Sequence, residues 1–560
     1  MRSEILLLTL LPVLAVNAQV RTEYRGFWVD TFNTSLNNHS DVVAIVESAK
    51  AAKANAIFAQ VRRRGDAWYV NSLEPRPDFL PIEPGFDPLQ DLISQAHGAG
   101  IEVHAFVIMA AIWNKNPTFD EPTATLGLPL SPDHVFNRHG GYDRATKQIV
   151  PGPNNWLTRS LLPDGTAGIT FQGHRFGSDF WIDFGHPDAA AYTVDVLLRL
   201  VRSYDIDGLH LDRIRYPDFS ATGQTPASGT NIGYNATSVA RYQRYYGIPD
   251  GSPPPLPSEP TWSVWRRDQV SNIVRRVYLN AIAIRPSLKI SASLIVYGGG
   301  PIAEADWGSA EAFWRVYQDW RSWTEEGILD IAIPMNYKRE DVPAQATWFD
   351  QWNEWTKNHQ YGRSTMIGEG VYLNAIEGTL RQTRRALDPS AGGNRALGVN
   401  FYSLANPDAA LNANPYSIPA GQNTAVRGVK EFAAALTTGR SPDGQVAYEQ
   451  NDVPVFADSA NVPLLEWKAR PRLGHLMGFA IGTDGAPMDT ATVYVYKRDG
   501  TVQRVTWTDG GGFFGSVDLP PGDYVVDVQL RGEQRWAHPV SVRAGSVTEV
   551  ELKPGPMPPW

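Results

Sequence analysis

From about residue 25 the chain alternates short apolar runs with longer stretches of helical periodicity. Strands are predicted at 26–30, 56–62, 102–108, 208–214, 289–296, 330–336, 364–371 and 396–403. Between and after them, apolar residues recur at helical spacing over 41–53, 88–100, 187–203, 262–284, 310–326, 344–358, 375–387 and 429–438. Eight strands, each followed by a helix, is the count of a (β/α)8 TIM barrel, an α/β fold assigned here to residues 22–437. A doubly wound open sheet is the competing arrangement. It typically carries a glycine-rich phosphate turn after its first strand, and none stands here. Two excursions lengthen the barrel: 114–177, rich in Pro, Gly and Asn, and a second containing Ser252-Pro253-Pro254-Pro255. Both leave the ends of strands, so both are expected on the catalytic face.

The texture changes beyond residue 437. A polar, Pro-containing linker (438–472) leads to alternating strands at 491–497, 503–507, 513–517, 524–530 and 547–552. Asp499-Gly500, Asp509-Gly510 and Pro520-Pro521-Gly522-Asp523 supply the turns. This predicts an all-β sandwich over 473–554 as an accessory domain. At the other end, Arg2, the apolar run 5–16 and the small residues of Val16-Asn17-Ala18 read as a signal peptide (1–18) cleaved after Ala18. A secreted or periplasmic protein is expected. No later run is long enough to predict a transmembrane segment.

Composition narrows the function classes. A net charge of -9 with no basic stripe argues against nucleic acid as partner. No cysteine is present, which removes disulfides, thiolate nucleophiles and thiolate zinc sites. The 11 histidines show no metal-ligand spacing, so neither metal nor cofactor is expected. Eighteen Trp and 22 Tyr offer rings that stack on the apolar faces of sugars.

In such a barrel, chemistry sits at the C-terminal ends of the strands. The sharpest candidate is Asp207-Gly208-Leu209-His210-Leu211-Asp212-Arg213-Ile214-Arg215-Tyr216-Pro217. Alternation puts His210 and Asp212 on the face opposite Leu209 and Leu211, hence toward the barrel axis. Asp212 there suits a nucleophile or an acid/base, with His210, Arg213, Arg215 and Tyr216 as substrate contacts; the other role open to it is the ion-pair partner of an arginine. Strand two supplies Gln60 and Arg62 on one face, with Asp66 just beyond, as sugar-binding groups or as a network orienting Asp212. His104 on strand three, Asn336 and Tyr337 on strand six, and Asn400 and Tyr402 on strand eight are candidate sugar contacts or barrel filling. Glycoside hydrolysis usually needs a second carboxyl group. Glu369 is the first choice, followed by Asp66 and Asp30; Glu304 and Asp306 also follow strand five.

Several of these motifs together resemble the glycosyl hydrolase-like family 10. They are Arg25-Gly26-Phe27-Trp28, Gln60-Val61-Arg62 with Arg64-Gly65-Asp66, Trp181-Ile182-Asp183-Phe184-Gly185-His186-Pro187, the segment 207–217, Pro334-Met335-Asn336-Tyr337 and Asn400-Phe401-Tyr402. The resemblance covers roughly 22–437. It implies a TIM-barrel enzyme of the bacterial envelope or exterior acting on glycosidic bonds, some relatives taking peptide-free peptidoglycan strands, with Asp212 matching the carboxylate that ends strand four. Arg63 stands where relatives often have Pro, and Arg213 where some have a second acid. Glu369 matches nothing general to the family. The last 80 residues resemble carboxypeptidase regulatory-like modules, which implies a non-catalytic partner domain in contact with glycan or envelope. The expected activity is hydrolysis of a polysaccharide or oligosaccharide by carboxylate acid/base chemistry; the alternatives are a non-catalytic glycan-binding protein and a transglycosylase.

Overall fold

The computed structural model describes residues 21–78, 82–114, 127–143, 148–149, 152–161, 175–176, 179–218, 224–409, 428–448, 453–530 and 536–555. The expected signal peptide and its cleavage point lie outside these residues, as does half of the 114–177 excursion.

Eight parallel strands form the barrel: β1 (Tyr24–Val29), β2 (Ala56–Arg62), β3 (Glu102–Ile108), β4 (Gly208–Asp212), β5 (Lys289–Leu294), β6 (Ile331–Pro334), β7 and β8 (Gly398–Tyr402). Strand β7 is broken at Met366. Its first piece, Ser364–Thr365, pairs with β6, and its second, Ile367–Gly370, pairs with β8. A bridge between Met335 and Gly368 spans the break and closes the barrel. The outer ring comprises α1 (His39–Ala51), α2 (Pro88–Gly98), α3 (Pro187–Ser203), α4 (Pro260–Ile284), α5 (Trp320–Glu326), α6 (Pro343–Asn358), α7 (Ile376–Leu387) and α8 (Val429–Thr438). Two of these helices begin on capping side chains: Asn38 caps α1 by accepting the Asp41 N–H, and Asp87 caps α2 ahead of Pro88 in its first turn.

The helix expected over 310–326 is interrupted. A short turn of helix at Glu311–Trp314 gives way at Tyr317, which takes a left-handed φ of 56°, before α5 begins. The break lets Gln318 reach the strand ends: its Oε1 accepts the Ile295 N–H at 2.7 Å and its Nε2 donates to the Ser293 carbonyl at 3.1 Å.

Inside the barrel large rings need glycine opposite them. The Phe58 and His104 rings stack at 4.3 Å, and a Cβ on Gly208 would stand 2.1 Å from the His104 ring. A Cβ on Gly368 would meet the Trp28 ring at 2.7 Å.

The segment expected as a linker lies against the N-terminal end of the barrel. Ala460–Asn461 pairs with Arg21–Thr22, while Trp467 and Lys468 both bind the buried Asp330 carboxylate ahead of β6. The C-terminal domain then has two sheets. Strands β9 (Gly474–Ala480), β12 (Phe513–Leu519) and β15 (Val547–Leu552) make one; β10 (Thr492–Lys497), β11 (Val502–Trp507), β13 (Gly522–Gln529) and β14 (Trp536–Val542) make the other. Strand β14, with Pro539 inside it, escaped the sequence reading. The sheets enclose Val493, Val495, Phe514, Val526 and Val528. Met477, Phe513 and Val517 turn outward and join the barrel's own apolar cluster beside α4.

Candidate active site

A cavity of about 520 Å³ opens at the C-terminal ends of the barrel strands. Its walls combine Trp28 on β1 and Phe32 after it, Asp212 at the end of β4 with Arg213 and Arg215 beyond, Tyr297 after β5, Tyr337 to Arg339 after β6, Tyr372 after β7 and Tyr402 on β8. Asp212 is the one carboxylate among the described residues that line it. Strand β4 is regular, so the expected alternation holds: Leu209 and Leu211 are buried in the apolar core, and Asp212 is half-buried at the cavity.

Opposite Asp212 stand three tyrosines. The Tyr337 and Tyr402 rings stack at 5.5 Å, with Tyr372 edge-on at 6.0 and 5.9 Å. Trp28 meets Tyr402 edge-on at 6.0 Å. Burial pushes the Tyr337 and Tyr402 phenols well above their ordinary range, for Tyr337 mainly with the help of its two tyrosine neighbours and for both with that of Asp212 and Asp30. They therefore stay neutral and able to donate hydrogen bonds.

Asp30 lies directly below the rim, fully buried. Its Oδ1 accepts the Phe32 and Asn33 N–H groups and the Asn33 amide at 2.8 to 3.2 Å; its Oδ2 has no partner among the described residues. Gln60 is buried beside it, its Oε1 accepting the Thr31 N–H and hydroxyl at 2.9 and 2.7 Å.

Other expected contacts lie elsewhere. Glu369 is on the outer face of β7, where its carboxyl sits 2.9 Å from the Thr383 hydroxyl of α7. Burial raises its pKa to about 8, and no part of it reaches the cavity. Asp66 is occupied by its own turn, accepting the Arg63 and Arg64 N–H groups at 3.2 and 2.9 Å. Arg62 does not share the face of Gln60. The ladder slips between these two residues, and the bulge at Val61 sends Arg62 outward to a fully buried pair with Glu74 at 2.7 Å. Asn336 also faces outward, donating to the Phe349 carbonyl and to Asn353 of α6, while Tyr337 points into the cavity.

His210 is inward but below the cavity. Its Nε2 accepts the Trp28 indole N–H at 2.9 Å and its Nδ1 is 2.9 Å from the Ser291 hydroxyl. Burial and the neighbouring His104 hold it neutral. His104 is a layer deeper, against Glu102 at 3.1 Å. Asn400 is buried beneath Gly26, and Tyr216 is buried with its hydroxyl on Asp183 at 3.0 Å. These four are barrel filling or supports of the rim. Asp30, Gln60, Asp212, Arg213, Arg215, Tyr337 and Tyr402 are the expected residues that gather at or just under the mouth.

Sequence reasoning missed Tyr297, Lys338 and Tyr372 in the walls and Asp179 behind them. Lys338 directly follows a motif already singled out. Asp179 stands at the end of an aperiodic excursion and gave no signal.

Among the described residues no group of three or more acidic or histidine side chains is placed to hold a metal, and no helix is long and apolar enough to cross a membrane.

The (β/α)8 barrel thus presents a carboxylate at the end of β4 inside an aromatic-walled cleft. Residues 154–385 match the family described as glycosyl hydrolase-like 10, and residues 475–553 match the carboxypeptidase regulatory-like domain, the two families that the sequence motifs resemble. The chain is 23% identical over 381 residues to "Glycosyl hydrolase YngK" of Bacillus subtilis (strain 168), covering 64% of this chain and 62% of that protein. It is 22% identical over 350 residues to "Glycosyl hydrolase DigH" of Escherichia coli (strain K12), covering 58% of this chain and 67% of that protein. Among solved structures, the glycoside hydrolase domain of PgaB (BpsB) from Bordetella bronchiseptica is similar at a TM-score of 0.44 and 13% identity, over 68% of this chain and 94% of that one.

Proposed function

We propose that this chain is an exported glycoside hydrolase that cleaves glycosidic bonds in a bacterial cell-wall or extracellular polysaccharide, peptide-free peptidoglycan strands being the first candidate. Asp212 is the catalytic carboxylate, acting on the glycosidic oxygen or the anomeric carbon. Asp30, buried under the rim and close enough to influence both tyrosines, is the nearest second carboxyl group. The neutral hydroxyls of Tyr337 and Tyr402 donate to sugar oxygens, and the partly exposed Tyr372 offers a ring for stacking, with the buried Trp28 supporting the wall. What carries this reading is a carboxylate at the end of β4, alone of its kind among the described lining residues and ringed by aromatic side chains. None of the described residues of the accessory domain lines the cavity, so any contact these make with glycan or envelope is outside the cleft.

The test is reducing-end release from a panel of bacterial polysaccharides by wild type and Asp212→Asn. Activity on one glycan that drops by about 100-fold or more in the variant is the expected result. Equal activity in both proteins removes Asp212 from the chemistry. Glycan retained without any release points to a binding protein, and products longer than the substrate to a transglycosylase.

A further inference from the structure

Among the described residues nothing donates a hydrogen bond to the Asp212 carboxylate, so its direction is set by the backbone that carries it. That backbone is unusual. The Asp212 carbonyl accepts the Met109 N–H at 2.8 Å, and Arg213 then turns into the left-handed region with a φ of 49°. Residues with a Cβ seldom adopt this conformation, and one that does is held there by its surroundings.

The holding group is identifiable. The Arg213 guanidinium donates from Nη1 to Asp179 Oδ2 at 2.6 Å and lies over the Trp181 ring at 5.4 Å. The other oxygen of the same carboxylate accepts from Arg64 Nε, also at 2.6 Å. The Asp179 side chain is only 4% exposed, and the two guanidinium groups keep its carboxyl below the usual range despite burial. Both guanidinium groups thus favour its charged form.

The mount is itself fixed. Asp179–Trp181 is a short strand, paired antiparallel with Ala111–Trp113 just beyond β3. The Trp181 carbonyl accepts the Thr158 N–H, and Ile182 N–H donates to Ala110, both at 2.9 Å. Asp179 thus ties the chain leaving β2 to the chain leaving β4, from an anchor on the excursion that leaves β3.

We propose that Asp179 is a positioning residue for Asp212: by gripping Arg213 it holds the left-handed turn that aims the Asp212 carboxylate into the cleft. The proposal rests on the reading of Asp212 as the catalytic carboxylate. It also gives the first long excursion a purpose, since that excursion delivers the residue that sets the reacting group of another strand.

The experiment compares Asp179→Asn, Asp179→Glu, Arg213→Met and the double variant Asp179→Asn/Arg213→Met with wild type and Asp212→Asn, on the glycan that wild type cleaves. Melting curves establish the folded fraction of each. Misaiming a reacting group by about an ångström costs up to about 100-fold in rate, so Asp179→Asn is expected to lose between about 10- and 100-fold in kcat with KM changed by less than about threefold. Asp179→Glu recovers part of that loss by restoring the charge. The double variant is no slower than the slower single, because both changes break one linkage. Wild-type kcat in a folded Asp179→Asn beside an inactive Asp212→Asn overturns the proposal and leaves the hydrolase reading intact. Losses that multiply in the double variant overturn it too, since Asp179 is then not acting through Arg213. Full turnover by Asp212→Asn removes the reading itself, and the proposal with it.

Discussion

Glu369 and Asp212 both end barrel strands, and on position alone each could serve as a catalytic carboxylate. A single step of strand parity separates them. Asp212 follows an inward residue by two and faces the cleft; Glu369 alternates with the inward Gly368 and Gly370 and is enclosed by α7. Its surroundings favour the neutral acid. The Thr383 hydroxyl is also 2.9 Å from the Thr379 carbonyl. It can donate its one proton there and accept from a protonated Glu369. With its pKa near 8 in the folded chain against an ordinary 4.5, Glu369 stays protonated where the unfolded chain has already ionised. Stability from this group is complete below about pH 4.5, declines as pH rises toward 8, and is flat above. Glu369→Gln cannot ionise. It should keep wild-type turnover and gain in Tm relative to wild type between pH 5 and pH 8. A large loss of kcat in this variant would return Glu369 to the chemistry.

At the scale of elements, the regular strands were legible and the irregular ones were not. The eight runs and all of their helices but the interrupted one over 310–326 appear where hydrophobic periodicity puts them, and β4 keeps its alternation, so Asp212 was found by counting. Strand β2 departs from that count by one bulge at Val61, which nothing in Gln60-Val61-Arg62 announces, because a bulge is settled by pairing with β3. The same holds for the bend at Tyr317 and the break in β7 at Met366, both fixed by what must fit against the strand ends. Asp179 was illegible for a different reason: its partners are 115 and 34 positions away in the sequence. The bulge makes its own prediction. Arg62 and Glu74 have no exposed side-chain surface, and Arg62 also donates to the Met109 carbonyl. Removing one member of such a pair strands a buried charge and typically costs about 3–5 kcal/mol. Arg62→Leu should therefore lower the denaturant midpoint markedly while the folded fraction retains its KM. A raised KM at unchanged stability would instead make Arg62 a sugar ligand.

Across the whole molecule, the accessory domain is joined to the barrel by more than a tether. Three arginines of the barrel reach three aspartates of the sandwich: Arg241 to Asp489 at 2.6 Å, Arg276 to Asp509 at 3.0 Å and Arg363 to Asp518 at 2.7 Å. Between them Phe513 and Val517 pack into the apolar cluster around α4, and a Cβ on Gly515 would stand 2.1 Å from Leu279 of that helix. A swinging module would not bury apolar side chains in its neighbour's core, since relative motion would expose them at each excursion. The strongest link is Arg241, which also donates to the Gly185 carbonyl at 2.6 Å and to Gln269 of α4 at 3.0 Å. Through Gly185 it meets the chain just ahead of α3, so the sandwich braces the helix that feeds β4. Barrel and sandwich should then melt together, in one calorimetric transition. Arg241→Met leaves Asp489 without its partner and the Gly185 carbonyl without a donor, at a cost of about 3 kcal/mol or more. Its Tm should fall as a single shifted transition, with kcat nearly unchanged below the melt because the cavity walls are untouched. Two separate transitions in wild type, the lower one leaving turnover intact, would show instead that the sandwich folds and moves as an independent unit.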